Sequence, residues 1–290
     1  MTEKERTLAD LRQNIDQIDG EMHQLIMRRS ELVQEIAARK SSAGNFMRPG
    51  REAQVVRRLV AAHHGAFPKL VLVRIWREII SAFTGMQGPF SAAVFTASGH
   101  SDYEKLARAQ FGSLVPLSLH ASEQEVLSAI ARGQSTLGIL PLPQDQMEDP
   151  WWRHLGTGGR DLDLSEIRIL ARLPFAAAPA GEAVQALVVS RIEPEPSGLD
   201  NSFILLKVET ADHHPDRDDL FAASDLSVLS HQSWQGSSGE LCDLVEVAGF
   251  ITDSDPRLIQ LAQSIDGEKG WIGCIGAYAV PLAADDLSSS

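Results

Sequence analysis

Four polar side chains stand where apolar ones belong: Arg29 and Lys40, Glu52, and Gln87. Leu8, Leu11, Ile15, Ile18, Met22, Leu25, position 29, Leu32 and Ile36 follow one another at alternating spacings of three and four. That is the a/d pattern of a helix packed along its length against other helices. Arg29 fills the middle of this stripe, and the step beyond Ile36 lands on Lys40. A guanidinium in such a seam is costly to bury unless something anionic meets it there. A second helix puts Glu52 on a face with Val55, Val56 and Leu59, and a third spaces Gln87 with Val73, Trp76, Ile80 and Phe83. One such residue is commonly a snorkelling chain or a helix-end accident. Four across three consecutive helices favour a shared polar pocket inside a bundle, suited to an anion.

The elements that must position these groups follow from the punctuation of the chain. Thr7 with Asp10 three residues later makes a capping start for a helix over 8–40. At 1.5 Å per residue that helix is roughly 50 Å long, too long for its short neighbours to cover, so a homodimer is the natural way to bury the stripe. A turn-rich loop over 41–50 leads to the second helix, 51–63. Gly65 ends that helix, Pro68 opens the third at a first-turn position, and Gly88-Pro89 stops it near Gln87. Beyond 88–91 the periodicity changes. Strands are expected at 92–96, 114–119 and 136–142, with helices at 103–111 and 122–132 between them, a βαβ alternation. A loop over 145–163 carries the Trp151-Trp152 pair, expected to pack down, and strands follow near 167–173, 186–192 and 203–208. The last part reads as a strand at 226–229, a helix from Ser238-Gly239 to about 250, a helix at 257–264 and a strand at 271–279, with a disordered tail from 285. The fold class is therefore α + α/β: a three-helix domain over 1–90, an α/β domain over 91–225, and an α+β region over 226–290.

Charge divides unevenly along the 290 residues. Residues 1–90 hold 14 Lys+Arg against 10 Asp+Glu, and the remainder 12 against 29. The basic third is the part suited to an anionic ligand, and the acidic remainder argues against nucleic acid as a partner. No apolar run suggests a signal peptide or a membrane span, which leads to the expectation of a cytoplasmic protein with no membrane partner. Cys242 and Cys274 sit in no nucleophile or metal motif and are expected to be core filler. His213-His214 in the solvated stretch 212–219 lacks further ligands, so no metal is expected there, and no cofactor is implied.

At this point the residues match a family. Leu11-Arg12 with Ile15, Ile18 and Asp19; Arg28-Arg29 followed by Glu31-Leu32; Lys40; Pro49 with Arg51-Glu52; and Trp76-Arg77-Glu78-Ile79-Ile80-Ser81 followed by Gln87 resemble the all-helical class of chorismate mutase. Each piece is weak alone; the ordered set over 8–87 is specific. The resemblance implies an isomerase of aromatic amino-acid biosynthesis that turns chorismate into prephenate, in a helical dimer with shared active sites. It implies that Arg12 from the partner subunit and Arg29 hold the two carboxylates of chorismate. Lys40 and Gln87 would donate to the ether oxygen, Glu52 would accept from the ring hydroxyl, and Arg51 would line the site. Arg48 stands where the family often has Asp, and Phe83 where it often has Ser.

The physics of that reaction suits the residue set. The rearrangement is unimolecular and pericyclic, so no nucleophile, metal or general base is required. The site must clamp a flexible dianion, which favours rigid bidentate arginines. It must then stabilise negative charge growing on the ether oxygen, which an ammonium and an amide N–H do by preorganised electrostatics.

The second part weakly resembles a prephenate dehydratase domain through Phe111-Gly112, residues 125–133 and Gly138-Ile139-Leu140-Pro141. The positions that carry that family's chemistry differ. Pro143-Gln144-Asp145 stands where the family has Glu-Asn-Ser, and Asn201-Ser202-Phe203 stands where it has Thr-Arg-Phe. A donor to the leaving hydroxyl and a cation for the carboxylate are thus not evident, and a scaffold without catalysis is expected. The third part faintly resembles the ACT regulatory module, with Asp253-Ser254-Asp255-Pro256 in place of Glu-Ser-Arg-Pro, a charge reversal against phenylalanine sensing. The leading expectation is a chorismate mutase whose C-terminal half is non-catalytic. The alternatives are a small-molecule sensor or interaction protein, favoured by Arg48 and Phe83, and a bifunctional mutase–dehydratase.

Overall fold

A computed structural model describes residues 6–39, 46–96, 102–144, 147–156, 162–176, 184–208, 221, 224–265 and 270–288. Helix α1 runs over Leu8–Arg39. Its start is closed reciprocally: the Asp10 backbone N–H donates to Thr7 Oγ1 at 3.2 Å, and the Thr7 N–H donates to Asp10 Oδ2 at 2.9 Å. α2 (Pro49–Ala62) opens with proline in its first turn, where a missing N–H costs nothing, and α3 (Lys69–Gly85) follows Pro68.

A nine-stranded sheet follows. Its strands are β1 (Ala92–Phe95), β2 (Leu117–His120), β3 (Leu137–Pro141), β4 (Arg168–Leu173) and β5 (Ala186–Ser190). The rest are β6 (Asp200–Val208), β7 (Val228–Gln235), β8 (Leu241–Ala248) and β9 (Gly270–Ala279). Their spatial order is β2-β1-β3-β5-β4-β9-β6-β8-β7. β1 pairs in parallel with β2 and β3, through α4 (Asp102–Phe111) and α5 (Glu123–Ala131), as the βαβ alternation predicts. The remaining pairs are antiparallel except β4 with β9. β9 therefore joins the two C-terminal stretches in one sheet. The junction lies at Gly276, which has φ +146° and faces Ile169 of β4 on one side and Phe203 of β6 on the other. A Cβ there would collide with the Ile169 backbone, so glycine is what lets β4 approach.

The stretch from Ser238 to about 250, expected to be helical, is instead a hairpin turn and strand β8. Gly239 has φ +93°, and the Gly236 N–H donates to the Glu240 carbonyl, which closes the turn. β8 lies between β6 and β7 and is buried on both faces over most of its length, so it lacks the polar–apolar alternation that marks a half-exposed strand. The strand expected at 226–229 starts two residues later and runs to Gln235. The Trp pair is packed down as expected: Trp151 and Trp152 begin a 3-10 turn at the centre of the main core, and Trp151 donates to the Pro141 carbonyl. Cys242 and Cys274 are free and buried, and burial pushes the Cys274 thiol up to about 11. Residues 209–220, with the His pair, lie outside the described residues, as do Lys40 and the loop to 45.

The helices meet the sheet unequally. Ala53, Val56 and Val60 of α2 and Val73 and Ile80 of α3 share one core with Phe175, Leu282, Ala279 and Leu287, the last in the short helix α7 (Ala284–Leu287). Gly50 lies against the backbone of Glu195, leaving no room for a side chain. α1 behaves differently. Of its residues only Val33 is buried, and Leu8, Leu11, Ile15, Ile18, Met22, Leu25, Leu32 and Ile36 are each between 42% and 65% exposed. The remaining helix, α6 (Pro256–Ile265), packs on β9.

Candidate active site

α1 meets α3 near the end of each. The Arg29 guanidinium lies 4.3 Å from the centre of the Phe83 ring, which is itself buried on α3. A stack of this kind holds the guanidinium plane and leaves its edge donors free for a planar anion. Arg29 Nη1 is buried and has no hydrogen-bond partner among the described residues, and burial pushes the group's pKa below its ordinary value. An orphaned donor of this kind is costly unless a ligand completes it. One turn beyond Phe83, Gln87 Nε2 donates to the Phe83 carbonyl at 3.0 Å. An amide nitrogen carries two N–H groups, so a second donor remains.

Arg12 is exposed, 17 residues before Arg29 on the same helix, which at 1.5 Å per residue puts the two about 25 Å apart. Within one subunit they do not meet. Arg51 is exposed and donates to Gln54 Oε1 at 3.4 Å. Arg48 uses its Nε on both carboxylate oxygens of Glu195, at 3.0 and 2.9 Å. Arg29 and Gln87 are thus gathered around Phe83, while Arg12 and Arg51 stand in solvent.

Glu52 is placed by the face that α2 turns to the α/β region. Its Oε2 lies 3.2 Å from Arg77 Nη1 of α3, and the two side chains are only 14% and 5% exposed. Burial pushes the Glu52 carboxyl up, opposed by the Arg77 charge and by the Arg48 backbone. The same burial pushes Arg77 down, opposed by Glu52. The three-and-four spacing puts Trp76 on the apolar face of α3, whereas Arg77 is the residue buried there. The legible signal was the alternative stripe Val73, Arg77, Ile80 and Thr84, spaced four, three and four, all of which are buried.

Comparison with known proteins bears on this geometry. The model of the family "Chorismate mutase type II" matches residues 11–88. A "Bifunctional chorismate mutase/prephenate dehydratase" of Pseudomonas aeruginosa is 28% identical over 141 residues, 47% of this chain and 38% of that protein. One of the same description from Aquifex aeolicus is 34% identical over 91 residues, 30% of this chain and 25% of that protein. The matches thus span well under half the length of these relatives. Among solved structures, prephenate dehydratase from Streptococcus mutans is 13% identical, with a TM-score of 0.45 over 66% of this chain and 98% of that one. The helical N-terminal segment that carries Arg29, Phe83 and Gln87 is therefore the part of the chain that is similar to the type II chorismate mutases.

Proposed function

We propose that this protein is a chorismate mutase acting as a homodimer with shared active sites, and that its α/β half, over 91–225 and 226–290, is non-catalytic. The observation that carries the reading is the Arg29 guanidinium, stacked on Phe83 with a buried Nη1 that lacks a partner. A carboxylate of chorismate supplies the missing acceptor. The partner subunit's Arg12 takes the second carboxylate, since the Arg12 of the same chain is too far along α1 to reach. The apolar stripe of α1, half exposed over its length, supports a second copy as its cover.

Catalysis in this reading is positional and electrostatic. The two arginines hold the dianion with its side chain folded over the ring, the geometry in which the new C–C bond forms as the C–O bond breaks. Lys40 and the free N–H of Gln87 stabilise charge growing on the ether oxygen. Glu52 accepts from the ring hydroxyl, and Arg51 borders the entrance. Proton transfer is not part of the step. In the α/β half, Asn201 donates to Glu246 Oε1 and to the Tyr278 hydroxyl, at 3.2 and 3.1 Å. The amide is thus engaged within the chain, which supports a scaffold role for this half.

Incubating the purified chain with chorismate and following prephenate and phenylpyruvate tests the reading. Prephenate alone is the expected product. Phenylpyruvate would make the chain bifunctional, and chorismate bound but unconsumed would make it a sensor.

A further inference from the structure

The buried ion pair of Glu52 and Arg77 does not end at the two helices. Arg77 lies 4.8 Å from the centre of the Phe175 ring, and Arg57 of α2 lies 5.7 Å from the same ring. Phe175 follows β4 and is 5% exposed, in the core shared by α2, α3 and the sheet. Arg57 also donates to Ser197 Oγ at 2.9 Å and to the carbonyls of Leu199 and Val280 at 2.9 and 2.6 Å. One aromatic ring of the α/β region thus receives an arginine from each helix, and one of those arginines carries the Glu52 carboxylate. On the same side, Glu78 of α3 accepts from the Ser113 N–H at 3.1 Å, and Ser81 donates to the Phe111 carbonyl.

We infer that Arg77 is a positioning residue for the mutase site, held in place by Phe175, and that the α/β region thereby orients Glu52 as the acceptor for substrate. This rests on the proposed role of Glu52. The physical need is clear from the surroundings. Glu52 lines a small enclosure with Arg77 of α3, Gln110 of α4, Arg172 of β4 and Phe175. The charged groups facing it are Arg77 and Arg172, and Arg172 is turned to Gln185 and Tyr278. Arg77 is therefore the cation in direct contact, and without it burial would push the Glu52 carboxyl further up. A protonated Glu52 donates where it must accept. Among the described residues Arg77 Nε has no hydrogen-bond partner, and the ring face of Phe175 and the bond to Glu52 orient the guanidinium.

The test uses the full chain and three variants: Arg77→Met, which keeps length and loses charge; Arg77→Lys, which keeps charge; and Phe175→Leu, which removes the ring. The acid limb of kcat/KM for chorismate should move to higher pH in Arg77→Met by a unit or more. Below both limbs that is a loss of about tenfold per unit, carried by KM rather than kcat and recovered as pH rises. Phe175→Leu should move it the same way by less, and Arg77→Lys should restore most of the wild-type profile. If Arg77→Met does not fold, Phe175→Leu and Arg77→Lys still decide the question. Profiles that superimpose, or a loss independent of pH, overturn the inference. A second reading separates it from the mutase proposal: titration of the Glu52 carboxyl by 13C NMR, identified by its loss in Glu52→Gln. If the wild-type protein leaves chorismate untouched, the proposed function fails. An upward shift of Glu52 in Phe175→Leu would then still support the positioning role, and an unmoved titration would overturn it.

Discussion

The bare stripe of α1 gives a prediction whose size can be worked out. Eight aliphatic or Met side chains from Leu8 to Ile36 are each roughly half exposed. Complete burial of such a side chain contributes about 1.5–3 kcal/mol, so covering the exposed half gives each about 1 kcal/mol. Two copies facing each other cover sixteen side chains, a gross gain on the order of 16 kcal/mol, against an association cost of about 4–15 kcal/mol. The surplus of about 1–12 kcal/mol favours the dimer, and it reaches the roughly 8 kcal/mol of a micromolar Kd where the cost lies in the lower half of that range. In Leu25→Asp, a residue 65% exposed in one copy receives a charge in the middle of the seam, and symmetry introduces it twice. Each copy loses the leucine's gain and adds a desolvation cost of several kcal/mol, so the total is as large as the roughly 8 kcal/mol that holds a micromolar dimer. Sedimentation velocity at micromolar concentration should show a wild-type dimer and a Leu25→Asp monomer with unchanged helix content. Gln13→Asp, on the opposite face of α1, should stay dimeric. A monomeric wild type, or a Leu25→Asp protein that remains dimeric, would refute the assignment of the stripe to a second copy.

Three further outcomes follow from the same geometry. Arg29→Ala should abolish turnover while circular dichroism stays native, and mixing it with Arg12→Ala should restore some activity, because one of the two sites in the heterodimer keeps both arginines; proven subunit exchange without recovery would argue against sharing. The isolated segment 1–90 should be less stable than the same helices in the full chain by thermal melting, since α2 and α3 bury their apolar faces against Phe175, Leu282 and Leu287; equal melting would mean that the shared core contributes nothing. Cys274, pushed up to about 11 by burial, should resist alkylation at pH 8 in the native protein. Relative to a thiol near 9 its thiolate fraction is about a hundredfold lower, so labelling should appear only on unfolding.

What was legible in the sequence was what leaves a one-sided pattern. α1 announces itself because its apolar residues keep to one face for eight turns and its start carries a capping pair. The βαβ alternation of 92–142 shows because β1 and β2 are each followed by a helix with a polar side. β8 was misread because both of its faces are covered, so Leu241, Cys242, Leu244, Val245 and Val247 give no alternation, and Ser238-Gly239 suits a helix start as well as a hairpin turn. The contact of Arg77 with Phe175 joins residues 98 positions apart, and neither carries a local sign of the other. In the site, Arg29 and Gln87 were read from their place on apolar faces. Glu52 was read from the same clue, but its face is turned to an arginine of the chain itself.

That difference between Arg29 and Glu52 separates two ways of handling a buried charge. Arg29 is left with an unsatisfied donor, which makes sense in a side chain that waits for a ligand. Glu52 is already paired, and its pairing passes through Arg77 to Phe175 and so to the sheet. The family match over 11–88 is thus continuous in sequence but not one unit of packing: α1 stands away from the rest with its stripe bare, while α2 and α3 are built into the α/β core. A site assembled across such a seam would take one arginine from a second copy, one from the exposed helix α1, and its carboxylate from the helices packed on the sheet. Any change that shifts α2 and α3 against the sheet would then alter the acceptor without touching the clamp. In the proposed reading, the α/β half would then reach turnover through the Glu52 acceptor.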